Sequence, residues 1–427
     1  MTAPSAGPGT HPASQEERFD VEIDSSAGPE EFRSQVRAWI GRHATDELTS
    51  MTDWSRLLTG NWWSYPDEMA TEAYAAWDRA MQEERLVCAG WPTRYGGREL
   101  PVDYDVIVDE ECLRANVPRV FRDQGEAWVG PAILAHGTDE QKDHYLPRIV
   151  AGLDSYCQGF SEPDHGSDLA ALETKGVVQG DSLIVNGQKI WTTFAQYASK
   201  IFILCRTDPD RSLRHRGITF VIADIAEAGA ALEFRPIRQL TGESDFCETF
   251  ITDLEVPLAN VIGGLGNGWA VAMTTLENER GGRSAAARNS AFEKEYQELL
   301  GLANASGRVA DPDIRRQFLE LYADLEALKW WSSSANTVHG SVEKIVSSEW
   351  GQRFGHLAMA VVGEEASVRP EGVGSEWEGG EYRLSKWQRA YFGSLASTIA
   401  SGTTEIQKNV IAEQALAFPR EPRGNQG

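Results

Sequence analysis

The sequence predicts a multi-domain protein of α and β segments, in which a helical part, a β part and a second helical part follow one another. Apolar residues recur every three or four positions before about residue 155 and after about residue 267, which is typical of amphipathic helices. Between them, short β-prone runs alternate with turn residues, which is typical of strands. The 427 residues are enough for two to four domains. The predicted parts are a disordered leader, 1–27, a helical domain, 28–154, a β-domain, 155–262, a second helical domain, 263–420, and a tail, 421–427.

The composition limits the class of partner. There are 40 Lys and Arg residues against 64 Asp and Glu residues, a formal net charge of −24 at pH 7. Because nucleic-acid binding depends on cations that neutralise phosphates, this charge argues against nucleic acid and against an anionic membrane surface. No apolar run approaches the ~20 residues that a membrane-spanning helix needs. The five cysteines are an odd number, far apart, with no CxxC pair, so the sequence predicts buried thiols in a cytoplasmic protein without disulfides or a metal site.

The first helical part contains recognisable start signals. Pro29 suits the first turn of a helix, and apolar residues follow at four-residue spacing over 32–40. Thr138 and Gln141 have the spacing of a capping box, which predicts another helix start. Two further helices are predicted over about 67–86 and 102–115. The aromatic-rich stretch 51–67 has no clear period and is interpreted as an insertion, either a lid over a bulky substrate or a cover for the core.

The β part contains Asn186-Gly187 between two β-prone runs, which is the strongest short signal for a hairpin turn. Further strands are predicted over 201–205, 217–225 and 248–256. In the second helical part, helices are predicted over about 267–304, 312–340, 341–362, 383–399 and 403–416. A Gly- and Glu-rich loop, 364–381, joins the last of them.

Two segments of the β part are candidates for ligand binding. Residues 160–168, Phe-Ser-Glu-Pro-Asp-His-Gly-Ser-Asp, can surround an anion or a polar ring with N–H groups and hydroxyls. An equal alternative is that the same segment is a loop that only caps a strand. Strand alternation places Trp191 and Thr193 on one face. Trp191 either packs in the core, which is the commoner situation, or stacks on a planar cofactor beside the Thr193 hydroxyl.

Two segments of the second helical part also stand out. The run Glu-Arg-Gly-Gly at 279–282 lies on a predicted helix, where each glycine costs ~1 kcal/mol relative to alanine. We therefore expect either that another group approaches the helix backbone closely there or that the helix kinks. The alternative is that Glu279 and Arg280 form only an exposed ion pair. Thr403 or Thr404 is a candidate N-cap, and Gly402 exposes backbone at the positive end of the last helix, which suits an anion or serves only as a cap.

Taken together, these segments resemble the acyl-CoA dehydrogenase flavoproteins. The matches, in order along about residues 28–420, are 90–97, 161–168, 186–193, 279–282 and 402–409. The resemblance implies an N-terminal helical domain, a middle β-barrel-like domain and a C-terminal four-helix bundle, with FAD between the last two. It also implies FAD-dependent α,β-dehydrogenation of an acyl-CoA thioester in lipid metabolism. The implied electron acceptor is electron-transfer flavoprotein. The implied assembly is a homodimer, a tetramer or a hetero-oligomer with a related subunit.

The resemblance assigns residues to the cofactor by their positions in these motifs. The implied cofactor-binding residues are Phe160, Ser161, Gly166, Ser167, Trp191, Thr193, Thr403 and Glu405. The first two would contact the flavin ring, and Ser167 would lie near the cofactor phosphates or the CoA moiety. Trp191 would pack on the ring with Thr193 near its N5, and the last pair would meet the diphosphate and ribose.

The resemblance also implies the base. Many members place a Glu immediately before the Gly-Thr that opens the last helix, where this sequence has Ser401. Another branch carries the Glu on the first long C-terminal helix, directly before an Arg, and here that pair is Glu279-Arg280. Glu279 is therefore the expected base and Arg280 its catalytic neighbour, because proton removal next to a thioester needs a carboxylate in a dry pocket. The Ser401 backbone N–H would still donate to the thioester oxygen.

Two departures from the family pattern leave alternatives open. An Arg-x-x-Phe-Gly segment that binds the FAD of a neighbouring subunit in many members is missing from 302–311. The acidic loop 364–381 replaces a Gly-rich segment that touches the same FAD. Other contacts, such as Arg308, or a second polypeptide would then complete the site. The alternatives to an acyl-CoA dehydrogenase are a non-catalytic or half-site subunit of a heteromeric enzyme and a flavin oxidase or monooxygenase on the same fold.

Overall fold

The computed structural model describes residues 23–52, 69–280, 282–333, 340–367 and 384–419. These ranges leave out the whole C-terminal tail. They also leave out most of the leader, of the aromatic-rich stretch and of the acidic loop. The order of the described elements is helical, then β, then helical, as predicted. In the part of the chain that the structure describes, no helix has the length and apolar character needed to cross a membrane.

The N-terminal helices begin close to the predicted positions. They are α1, Pro29–His43, α2, Asp46–Met51, α3, Glu72–Glu83, α4, Val102–Ala115, α5, Gly130–His136, and α6, Asp139–Val150. The predicted apolar face of α1 is buried, and α6 opens with the Thr138–Gln141 capping box. Ile23, which the sequence assigned to the leader, is 1% exposed. The packed residues of this part therefore begin before the predicted boundary at 28.

The β part forms one sheet of eight strands. They are β1, Tyr156–Gly159, β2, Lys175–Gln179, β3, Ser182–Thr193, β4, Lys200–Arg206, β5, Ile218–Asp224, β6, Leu232–Ile237, β7, Phe246–Pro257, and β8, Val261–Ile262. Their order across the sheet is β6-β7-β3-β2-β4-β5-β8, and β1 pairs in parallel with β4. Every residue of β4 is buried, so the sheet is covered on both faces there.

Asn186-Gly187 is not a turn, and that prediction is wrong. Strand β3 continues through both residues, and the Asn186 side chain pairs with Asp253 of β7, donating to its carboxylate at 3.0 Å and accepting from its N–H at 2.8 Å. A Cβ at position 187 would lie 2.8 Å from the Thr174 Cα, so the close approach of another backbone requires glycine here. The hairpin turn between β2 and β3 contains Gly180, whose φ is 60°.

A π-helix, Gly125–Val129, lies between α4 and α5 in the chain. It is preceded by Asp123, which is 6% exposed and has a left-handed φ of 49°. The Asp123 carboxyl accepts hydrogen bonds from the Gly125 N–H at 2.6 Å and the Tyr156 N–H at 3.4 Å, which ties the π-helix to β1. Burial raises the pKa of Asp123 to about 8, so this carboxyl is mostly protonated at neutral pH.

The C-terminal part returns to helices. They are α7, Gly268–Arg280, α8, Gly282–Ala305, α9, Pro312–Ser333, α10, Gly340–Val362, α11, Lys386–Ser397, and α12, Thr404–Val410. Trp350 of α10 is fully buried, and its indole N–H donates to the Leu321 carbonyl of α9 at 2.9 Å. The run 279–282, where the sequence predicts a close approach or a kink, includes residue 281, which lies outside the described residues, between the end of α7 and the start of α8.

Candidate active site

The loop 160–168 is held against β3 by a buried ion pair. Lys189 is 0% exposed, and its Nζ lies 2.8 Å from Glu162 Oε1 and donates to the Phe160 carbonyl at 3.1 Å. The Glu162 carboxylate also accepts two backbone N–H groups, at 2.6 and 2.9 Å. Burial lowers the pKa of Lys189. Burial also opposes ionisation of Glu162, but the Lys189 charge and the N–H donors outweigh it and keep the pKa of Glu162 below its usual value.

The ends of this loop differ in environment. The Phe160 ring is 4% exposed and packs edge-on against Phe202 and Phe220, so its side chain belongs to the core. Ser161 is half-buried, and its carbonyl accepts the Ile190 N–H of β3 at 2.9 Å. Phe160 can therefore meet a cofactor only through its backbone, whereas Ser161 also presents its hydroxyl.

Gly166 and Ser167 lie at the exposed end of the same loop. The next residue, Asp168, pairs with Arg214 at 3.1 Å. Arg214 has a left-handed φ of 44°, and its buried Nε has no hydrogen-bond partner among the described residues. The side chain of the nearby Arg216 is exposed and forms no ion pair within the described chain. Gly166 and Ser167, which were predicted to bind the cofactor, thus lie beside a loop that carries Arg214 and Arg216. The sequence analysis did not identify this positively charged loop.

Trp191 is exposed because β3 contains a bulge. Lys189 pairs with Thr249 and Thr192 pairs with Cys247, so β3 has one extra residue over this stretch. Thr192 is buried, whereas Trp191 is 55% exposed, with a left-handed φ of 62°. The indole contacts the ring of Phe246 edge-on, with 6.1 Å between centroids. The interpretation of Trp191 as a core residue is therefore wrong. An aromatic face held outward by strained backbone is suited to stacking.

Thr403 and Glu405 line an open cavity of about 630 Å³ between α10 and the start of α12. The Thr403 hydroxyl accepts the Ile406 N–H at 3.2 Å and caps α12, as predicted. The Glu405 N–H and the Thr403 hydroxyl lower the pKa of Glu405. Lys408 and Arg353 add positive charge to the cavity. The Thr404 hydroxyl oxygen is buried, and it has no hydrogen-bond partner in the described chain.

Glu279 and Ser401, 122 residues apart in the sequence, meet in the structure. The Ser401 hydroxyl donates a hydrogen bond to Glu279 Oε1, and both residues are half-buried. Glu279 lies in the last turn of α7, and Ser401 lies in the loop between α11 and α12. The backbone of Arg280 ends α7, and its side chain lies outside the described part of the chain. The two positions that the resemblance offers for the base are thus in direct contact.

Helix α11 links the sheet to the loop that carries Ser401. Arg389 of α11 forms an ion pair with Glu243 in the loop between β6 and β7. That loop also reaches the end of β3, because the Asp245 carbonyl accepts the Phe194 N–H at 2.7 Å. Helix α11 leads directly into the loop that carries Ser401. Helix α11 therefore contacts the loop between β6 and β7 through Arg389 and leads, beyond its other end, to the Glu279–Ser401 pair.

Comparison with known proteins agrees with this architecture. Acyl-CoA dehydrogenase models match the N-terminal domain over residues 30–153, the middle domain over 157–254 and the C-terminal domain over 266–416. Acyl-CoA dehydrogenase IpdE1 of Mycobacterium tuberculosis is 35% identical over 404 residues, which cover 92% of this chain and 99% of the relative. FadE29 of the same organism is 33% identical, covering 82% of this chain and 90% of the relative.

Solved structures give the same result. The Tcur3481-Tcur3483 steroid ACAD superposes with a TM-score of 0.72 at 25% identity, covering 93% of this chain and 100% of that chain. The ChsE4-ChsE5 complex from Mycobacterium tuberculosis has a TM-score of 0.68 at 29% identity, covering 92% of this chain and 98% of that chain.

Fold and site together define a flavin-dependent oxidoreductase with helical, sheet and helical domains. The chain belongs to the acyl-CoA dehydrogenase family, whose members are FAD flavoproteins that act on acyl-CoA substrates in lipid metabolism. The described residues fit FAD on two observations. Trp191 presents a strained, exposed aromatic face, and Thr404, whose buried hydroxyl has no hydrogen-bond partner among the described residues, lines a cavity together with Lys408 and Arg353.

Proposed function

We propose that this chain catalyses the α,β-dehydrogenation of an acyl-CoA thioester with Glu279 as the base. The observation that carries the proposal is the contact between the Glu279 carboxylate and Ser401 in the loop that opens α12. It supports Glu279 as the carboxylate that replaces the one lost at position 401. A half-buried carboxylate at the junction of sheet and helices suits a base that must work away from bulk water.

In this mechanism the chain positions the substrate and moves one proton. Glu279 takes the α-proton of the thioester, and Arg280 is assigned as its catalytic neighbour. The Ser401 backbone N–H donates to the thioester oxygen, where negative charge develops. The chemistry that a bound FAD would supply here is an acceptor for the hydride of the substrate β-carbon.

The proposed cofactor contacts divide between sheet and helices. Trp191 and Thr193 would face the flavin ring, and Ser161 would approach it from the loop of 160–168. Thr403 and Glu405 would face the diphosphate and ribose in the cavity of α10 and α12, where Lys408 supplies positive charge. Gly166 and Ser167 would lie near the phosphates of FAD or of CoA, beside the Arg214 loop.

The test uses the purified chain with its bound flavin. Glu279→Gln should retain the flavin spectrum and lose about 10²–10⁴-fold in turnover, because it keeps the shape and removes the base. Glu277→Gln, an exposed residue on the same helix, is the matched control and should keep full activity. The substrates are butyryl-, octanoyl- and palmitoyl-CoA and one steroid acyl-CoA, since one structural relative is a steroid ACAD. Unchanged turnover in Glu279→Gln would reject the assignment, and rapid reoxidation by air would point to an oxidase.

We further propose that the functional unit includes a second, related subunit, with electron-transfer flavoprotein as the electron acceptor. The missing interface motif in 302–311 supports this assembly, and so does the similarity to the ChsE4-ChsE5 complex. Arg308, the alternative contact, lies against Gly363, where a Cβ would collide with its guanidinium. Full flavin occupancy and activity in the isolated chain would reject the second subunit. The absence of a disulfide among the five buried cysteines, all of which lie in described parts of the chain, supports a cytoplasmic location.

A further inference from the structure

Ser401 has an unusual backbone for a serine. Its φ is 56°, and that of the following Gly402 is 87°, so two consecutive residues are left-handed. This region favours glycine, and a serine persists there only when its surroundings hold it in place. The side chain of Ser401 shows what the conformation achieves, because its hydroxyl donates to Glu279 Oε1.

A second contact holds Ser401 from the other side. Gln407 of α12 is 0% exposed, and its Nε2 donates to the Ser401 carbonyl at 2.8 Å. Its Oε1 is buried and accepts no hydrogen bond from the described residues. A buried amide with one unpaired atom is costly, so the bond that it does make to Ser401 matters for the local structure. Thr398 closes the loop, since its carbonyl accepts the Thr404 N–H at 3.1 Å.

We propose that Ser401 is a positioning residue for the base, held by Gln407, and that its hydroxyl keeps the Glu279 carboxylate ionised and aimed at the substrate α-carbon. The inference rests on the proposed function of Glu279. A hydrogen bond donated to a carboxylate stabilises its charged form and restricts its rotation. One residue would then serve both ends of the reaction, because the backbone N–H of Ser401 is the proposed donor to the thioester oxygen and its hydroxyl holds the base.

Other groups on the neighbouring elements are left unchanged by the substitutions that test this role. The charged or titratable residues on elements packed against α7 include Glu126 in the π-helix, His136 on α5, Arg288 on α8, and Glu343 and Lys344 on α10. The short helical turn before β5 adds Arg214, His215 and Arg216. A change in the pH profile that follows loss of the Ser401 hydroxyl alone therefore reports on the Ser401–Glu279 contact.

The experiment compares Ser401→Gly and Ser401→Ala in the flavin-loaded enzyme. Glycine accepts a φ of 56° without strain and alanine keeps the strain, but both remove the hydroxyl. Both variants should keep the flavin spectrum and lose about 10–100-fold in kcat, with KM changed little. In the pH profile of kcat/KM, the midpoint of the acidic limb should shift to higher pH by about one unit. The uptake of deuterium at the substrate α-carbon should also become slower. The substrate is the acyl-CoA of the panel above that the wild-type enzyme oxidises fastest.

Two further variants make the outcome decisive. Ser397→Ala removes a hydroxyl of α11 that donates to the Ser394 carbonyl at 2.6 Å, and it should leave rate and pH profile unchanged. Gln407→Leu should reproduce the Ser401 variants in part. If Glu279→Gln is inactive but both Ser401 variants keep the wild-type rate and pH profile, the positioning role is wrong and the proposed function stands. If only Ser401→Gly is slow, backbone stiffness rather than the hydroxyl is responsible, which also overturns the inference.

Discussion

Replacing Lys189 by Met should loosen the sheet and weaken flavin binding together. The substitution keeps an unbranched side chain in a fully buried position but leaves the Glu162 carboxylate without its cation. Breaking a buried ion pair on one side costs ~3–5 kcal/mol. Glu162 keeps its two backbone donors, so we expect the lower end of that range, about 3 kcal/mol.

Hydrogen exchange followed by mass spectrometry measures this loss locally, which matters because a chain of several domains does not unfold in one step. A loss of about 3 kcal/mol corresponds to exchange at least about 100-fold faster in peptides from β2 and β3. The double variant Lys189→Met, Glu162→Gln removes the stranded charge and should recover at least about half of the loss. Wild-type exchange rates in Lys189→Met, or a double variant as unstable as the single one, would refute this reasoning.

Two further predictions follow from buried and exposed groups. In Asp123, the folded pKa of about 8 lies above the ordinary 3.8, so the folded chain keeps a proton that the unfolded chain loses between these values. Wild-type local stability should therefore fall as pH rises from 5 to 8, by at most about 1.4 kcal/mol per pH unit, whereas Asp123→Asn lacks this contribution. Equal slopes of the opening free energy against pH in the two proteins, from hydrogen exchange of peptides in the π-helix and β1, would contradict it. Trp191→Gly should weaken FAD binding about 10-fold or more by titration while apo-protein stability stays within about 1 kcal/mol, and Val177→Ala, an exposed residue of β2, is the control. Equal FAD affinity in Trp191→Gly and wild type would remove the proposed stacking.

The helices were predictable because their signals are local. Pro29 at a first turn and the Thr138–Gln141 capping box act within one turn of chain, and both lie where the sequence predicts. The Asn186-Gly187 signal is equally local, but it was outweighed by contacts from elsewhere. Asp253 pairs with the Asn186 side chain across the sheet, and the Thr174 backbone requires glycine at 187.

The candidate site was only partly predictable for the same reason. The exposure of Trp191 depends on a register shift against β7, which the sequence of β3 alone does not specify. The contact of Glu279 with Ser401 joins residues 122 positions apart and exists only after the helices pack. Lys189 did carry a usable signal, because a lysine on the inward register of an apolar strand must find a buried partner. Glu162, two residues from the predicted Phe160, is that partner.

The five cysteines have a practical consequence for chemical labelling. All five lie in described parts of the chain, are buried, and form no disulfide. Burial raises the pKa of Cys157, Cys205 and Cys247, in Cys205 to about 12. Because maleimides and oxidants react with the thiolate, these native thiols are slow targets in the folded protein. A cysteine introduced at an exposed position such as Tyr197, 58% exposed near the end of β3, would accept a fluorophore selectively. The wild-type background therefore already suits single-site probes of how the sheet and the C-terminal helices move around a bound ligand.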